Sequence, residues 1–302
     1  MNWMEELFAL MKETLSQSVH ERLGIAVAMT GVVLLCALFR NFDVGSKGGS
    51  VEKCAFFAEY AAIAVLLGKN ALYAKETAQV AMERMVTALN TVSPILLIAS
   101  PGMGTTFLMA TEVVANLFQT VFLPMTCIFA ALSLVDNLST SFSIHHLVEL
   151  LKKIVFWGLG LVMTVYLGIM SVQSCLATAE GTTVHKTAKF AVGAWPVVGQ
   201  YLAESFDVVS ASASAMHTAT GTGAMIAVLF ACLAPALELL VLAGLLKLVS
   251  AVTQPVTESR ICDCISSGAN AISLMAGLVI LCAVMLTITI AMFLTVMGRV
   301  KG

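Results

Sequence analysis

The stretch Ile154–Ala179, "IVFWGLGLVMTVYLGIMSVQSCLATA", contains no charged residue. About 20 apolar residues carry a helix across the roughly 30 Å core of a bilayer, so this run is long enough to span one. The rest of the chain has the same character. Of 302 residues, 59% are hydrophobic and only 11% charged, where a soluble domain carries about 25% charged residues. The mean hydropathy is +0.94. A soluble fold of this length would lack the polar groups to cover its surface. The chain reads as all-α: a polytopic integral membrane protein with about five to seven transmembrane segments, two discontinuous or re-entrant short helices, and amphipathic interfacial helices.

Just before the quoted span, Ile144–Lys153 reads as a polar-faced helix, and before that a long apolar helix runs from Thr105 to Val135, with Pro124 as its kink. Further back, the uncharged stretch from Met85 to Thr111 is cut by "SPILLIASPGMG". Pro94, Pro101, Gly102 and Gly104 forbid one regular helix there. At the front, residues 1–22 read as an amphipathic helix, with Met4, Leu7, Phe8, Met11 and Leu15 on one face. Leu23–Phe39 is a first span, and Cys54–Tyr73 a second apolar stretch followed by a charged helical segment. The loop Arg40–Lys53 holds three basic residues, which favours the cytoplasm. The boundaries are 1–22, 23–84 (two N-terminal spans and an interfacial helix), 85–180 (a first membrane half) and 181–302 (a second).

The second half repeats the order of the first. Phe190–Ala203 is apolar but short and broken by Gly193, Pro196 and Gly199. A long helical stretch with Pro235 follows, then a polar-faced helix at Ser259–Ser267, then a final span at Ala271–Met297. This order leaves an internal structural repeat open. Paired broken segments in corresponding halves point to a transport path, because broken backbone survives at membrane depth only when buried in protein or lining a wet cavity.

Ionisable residues within apolar runs are the next signal. Glu59, Glu112, Glu238 and Lys247 are the candidate buried charges, although Lys247 also reads as a residue that snorkels to the headgroups. Glu238 and Lys247 fall on opposite faces of one helix and do not pair there. Ala211, Ala215, Ala219 and Gly223 recur every four residues, a smooth stripe for close helix packing. His145, His146 and Glu149 lack the order of a zinc hydrolase and read as a solvated or headgroup-facing helix. The eight cysteines are scattered; only Cys262 and Cys264 lie close together, short of the four ligands zinc usually takes. No metal and no cofactor is expected. The net charge of −2 provides no basic field for nucleic acid. No nucleophile elbow, P-loop or dinucleotide fingerprint appears in a fitting context, so the chain reads as no enzyme.

The second half also carries a resemblance. "KTAKFAVGAWPVVGQYLAESFDVVSAS" (Lys186–Ser212) and "LAPALELLVLAGLLKLVSAVTQPVTESRI" (Leu233–Ile261) resemble the stage III sporulation protein AE family of endospore-forming bacteria. The matching features are Lys189-Phe190, Pro196-Val197-Val198-Gly199, Asp207, Pro235, Lys247-Leu248, Gln254-Pro255 and Arg260-Ile261. In the first half "FLPMTCIFAALSLV" (Phe122–Val135) and "YLGIMSVQS" (Tyr166–Ser174) fit as well. Members of that family usually carry a signal-like segment and a longer extracytoplasmic region ahead of the first span; here 22 residues precede Leu23.

The resemblance implies a protein of the mother-cell membrane surrounding the forespore. It implies a component of the multiprotein channel joining mother cell to forespore, a specialised secretion-like apparatus, with other proteins of that complex as partners. Channel membership and the alanine stripe make a homo-oligomer the expected state. Two other classes share some of these features. A secondary transporter for a small solute would also use broken segments and buried carboxylates, and a passive scaffold for partner rings would use the amphipathic helices.

Overall fold

The computed structural model describes residues 3–42, 49–99, 103–138, 144–177 and 221–300. The elements are all helical: α1 (Trp3–Phe42), α2 (Gly49–Ala99), α3 (Met103–Leu117), a π-helical turn (Phe118–Phe122), α4 (Leu123–Asp136), α5 (His145–Ala177), α6 (Gly221–Thr253) and α7 (Ser259–Val300). Among the described residues there is no strand. Among the described residues five stretches are long and apolar enough to cross a membrane: Ser16–Cys36, Leu108–Asp136, His145–Val172, Leu233–Thr253 and Ser259–Ile290.

These helices are longer than the sequence reading expects. Residues 3–22 of the amphipathic segment and the span that follows are one helix, α1. The stretches 54–73, 74–88 and 85–99 are likewise one helix, α2, about 75 Å long at 1.5 Å per residue. The polar-faced stretches at Ile144–Lys153 and Ser259–Ser267 are opening turns of α5 and α7 rather than separate interfacial helices. Charge marks where a helix meets polar surroundings. It does not end the helix, because Glu, Lys and Arg are good helix formers. α2 also runs through Pro94 to Ala99, and Gly104 lies in the first turn of α3. Pro101 and Gly102 fall between the two, outside the described residues.

Pro124 was expected to kink its helix, and the π-helical turn Phe118–Phe122 lies immediately before it. A proline in a helix offers no N–H to the carbonyl four residues back and crowds it. One wider turn absorbs that misfit. Pro235 lies inside α6, which continues through it.

The chain forms two compact units, each with its own core. The first comprises Met1–Ala78, Leu123–Lys153 and Ala234–Gly277. Its core includes Phe129 and Ala130 of α4, Val148 of α5 and Ala271 of α7, with Ala71 of α2 packed against them. α2 supplies Phe56, Tyr60, Ile63, Leu67 and Ala74 at three- and four-residue steps, the spacing of one helix face. The second unit comprises Gln79–Phe122, Ile154–Leu233 and Leu278–Gly302. Its described core is built from Met82, Met85 and Leu89 of α2, Val114, Ala115 and Phe118, then Leu159, Met163, Tyr166 and Met170 of α5, and Leu278, Val279 and Cys282 of α7.

Several hydroxyl groups in the apolar helices are satisfied locally. Thr30, Ser133, Thr164, Ser273 and Thr287 each donate to the carbonyl four residues back, the usual way a short polar side chain is carried inside an apolar helix.

Candidate functional site

The polar side chains of the first unit gather in two knots. In one, Arg22 of α1 donates through Nη2 to Glu238 Oε1 of α6 at 2.6 Å. Tyr73 of α2 donates its hydroxyl to the same carboxylate oxygen. The guanidinium also lies over the Tyr73 ring, 3.9 Å from its centroid. The ion pair is mostly buried, with side chains 16% and 25% exposed. One carboxylate thus ties three helices together. The cation–π contact adds to the Coulomb attraction where water is scarce.

The second knot joins α2, α4 and α7. Tyr60 donates its hydroxyl to the Leu134 carbonyl, and the Cys264 thiol donates back to the Tyr60 oxygen at 3.5 Å. Its neighbour Glu59 is 1% exposed and accepts from Thr257 Oγ1 at 3.0 Å. Cys262, also buried, lies with its sulfur 3.9 Å from Thr253 Oγ1. The two cysteines thus belong to helix packing. At the start of α5, the Asp136 carboxylate accepts from the Ile144 backbone N–H at 2.9 Å and lies 3.2 Å from His145 Nδ1. It caps the helix, whose first N–H groups have no partner of their own.

The second unit holds a neutral knot. Tyr166 of α5 donates to the Met285 carbonyl of α7 at 2.9 Å. Its hydroxyl lies 2.6 Å from Thr289 Oγ1, which in turn lies 2.9 Å from Thr111 Oγ1 of α3. All three side chains are buried. A buried hydroxyl without a partner is costly, and here each one supplies another helix with the partner it needs.

Of the four charges singled out from sequence, Glu59 is buried and Glu238 is mostly buried and paired. Glu112 and Lys247 are instead exposed. The buried face of α3 runs through Thr111, Val114 and Ala115, and that of α6 through Leu239, Leu242, Leu246 and Val249. A residue next to such a stripe is turned about 100° away from it. Pro101, Gly102, Gly193, Pro196, Gly199, Ala211, Ala215 and Ala219 lie outside the described residues, and Gly223 lies in the first turn of α6.

The sequence pattern singles out neither Arg22 nor the hydroxyl partners. The available signal was tyrosine: three of the four tyrosines lie in apolar helices, where each hydroxyl needs an acceptor.

The profile of the family described as stage III sporulation protein AE matches residues 2–297. The chain belongs to that family. Stage III sporulation protein AE of Bacillus subtilis (strain 168) is similar to it, 27% identical over 277 residues that cover 87% of this chain and 67% of that protein. No solved structure matches. As a stage III sporulation protein AE family member, the chain has a sporulation role, and its apolar helices indicate association with a membrane.

Proposed function

We propose that this family member is a membrane-embedded component of the channel that joins mother cell to forespore. It works in the mother-cell membrane surrounding the forespore, as a homo-oligomer among the other proteins of that complex, without covalent chemistry. The observation that carries the reading is the family match over residues 2–297 on a chain with five membrane-length apolar stretches. The polar knots support it, because they engage polar groups of different helices with each other, as a frame for a passage requires.

The test is a sporulating host lacking the native protein, scored for late forespore gene expression, mother-cell gene expression and heat-resistant spores. This chain should restore late forespore expression and raise spore yield at least a hundred-fold. Normal forespore expression in the strain without the protein would defeat the channel reading.

A further inference from the structure

The outward face of α3 does not match the helix it belongs to. The stretch Leu108–Asp136 has the hydropathy of a membrane span, yet Thr105, Glu112, Asn116 and Thr120 are all exposed. Their spacing places them within a single strip of helix surface, which they share with Met109 and Val113, each 67% exposed. The inward face is closed by Thr111, Val114, Ala115 and Phe118. In α4, exposed Ile128 and Val135 are apolar. α2 has a second polar outward face in the same unit, with Gln79, Glu83, Arg84, Thr87 and Asn90 exposed. Only three residues separate α2 from α3.

Ionisable and amide side chains at membrane depth turn to protein interior or to water. This strip is not turned to the interior of its own unit. Among the described residues Glu112 forms no ion pair. The Thr120 hydroxyl donates to the Asn116 carbonyl at 2.7 Å, so the groups that hydrate readily and pack poorly against acyl chains are the Glu112 carboxylate and the Asn116 amide, one turn apart.

We propose that the Glu112–Asn116 face of α3, continued by Thr120 in the π-helical turn, lines a hydrated vestibule that reaches down the helix as far as Thr120, with Glu112 favouring cations within it. The proposal deepens the channel reading and rests on it for its purpose: it names the surface along which water enters.

The test is cysteine accessibility in native membranes, with the parent protein as the blank for its own cysteines. Asn116→Cys and Thr120→Cys should react with a membrane-impermeant methanethiosulfonate at rates within about ten-fold of a loop cysteine. Ile128→Cys, beyond the strip, and Leu161→Cys, on the apolar face of α5, should react at least a hundred-fold more slowly. Thr120→Cys is a small change at an exposed position and keeps the readout if Asn116→Cys accumulates poorly. At Asn116→Cys a cationic reagent should gain on an anionic one, and Glu112→Gln should shrink that ratio several-fold.

Protection of both Asn116→Cys and Thr120→Cys would overturn the proposal, whether the cover is lipid or another copy of the chain. Labelling of Glu112→Cys alone would also overturn it, because it would mean a side chain reaching only to the headgroups. A cation preference unmoved by Glu112→Gln would remove the role given to Glu112. Labelling needs no sporulation. A reactive strip in a protein whose loss leaves spores normal would therefore defeat the channel reading and leave the hydrated face standing.

Discussion

α3 and α5 belong to stretches of equal mean hydropathy, 1.9 for both Leu108–Asp136 and His145–Val172, yet they turn different chemistry outward. In the second unit α5 exposes Trp157, Leu161, Val165, Ile169 and Val172, an unbroken apolar strip suited to acyl chains. α3 exposes Glu112 and Asn116 beside Met109 and Val113. Inside the unit the two helices do the same thing: Thr111 of α3 and Tyr166 of α5 both bond to Thr289 of α7. Mean hydropathy reports the average of two faces. Surroundings act on each face separately, so equal averages conceal one outer face that is wholly apolar and one that carries a carboxylate and an amide among its apolar side chains.

The largest expected effect comes from adding the same charge to each outer face. Glutamate at a lipid-facing midpoint costs about 3 kcal/mol, roughly a hundred-fold in an equilibrium. Leu161→Glu should therefore lower the membrane-inserted protein at least ten-fold, read by carbonate-resistant fractionation. Thr120→Glu should lower it less than two-fold. Equal losses at the two positions would erase the contrast between the faces.

Much of this architecture was legible beforehand. The quoted span and its neighbours needed only length and the absence of charge, because the bilayer sets both. Helix continuity was less legible. Lys152 and Lys153, or Glu21 and Arg22, look like boundaries in a hydropathy profile, but α5 and α1 pass through them. Backbone geometry is interrupted by glycine and proline, not by charge. Even proline was read too strongly at Pro94, where α2 continues to Ala99. The Glu59 and Glu238 sites were visible as carboxylates in apolar runs. Their partners Thr257, Arg22 and Tyr73 lie 198, 216 and 165 residues away, and no local pattern encodes such separations. Glu112 was legible as unusual but not as outward, since the face depends on which neighbours pack.

A smaller effect contrasts the inner knots of the two units. The Arg22–Glu238 knot of the first unit is tied by charge and the knot of the second by hydroxyls. Removing one partner of a fully buried ion pair costs about 3–5 kcal/mol. The Arg22–Glu238 pair keeps some exposure, 16% and 25%, so Arg22→Met should cost about 2–3 kcal/mol, measured by denaturant unfolding in detergent. Arg22→Glu combined with Glu238→Arg should recover at least half of that. No recovery would mean that the arginine acts through packing and its contact with Tyr73. Thr289→Val should cost less, about 1–2 kcal/mol, because it removes a neutral partner and Tyr166 keeps the Met285 carbonyl. A larger loss for Thr289→Val than for Arg22→Met would reverse the ranking of the knots.

The smallest effect lies where α5 meets the π-helical turn that follows α3. A β-carbon on Gly158 would stand 2.7 Å from Phe122 Cε1 and 2.9 Å from its Cζ. That ring is buried and lies edge-on to Phe118, with centroids 5.9 Å apart. Glycine at 158 therefore sets how closely α5 approaches the turn. Alanine in place of glycine gains about 1 kcal/mol of helix propensity, while overpacking costs about 1–3 kcal/mol. Gly158→Ala should thus destabilise by no more than about 2 kcal/mol. The informative measurement is the sign change in a second background. Once Phe122→Leu removes the ring, the strain term disappears and only the propensity term remains, so Gly158→Ala should become stabilising by about 0.5–1 kcal/mol. If alanine stays destabilising with leucine at 122, the closeness of α5 to the turn is set by backbone contact. The glycine would then serve helix approach directly, with no dependence on the Phe122 ring.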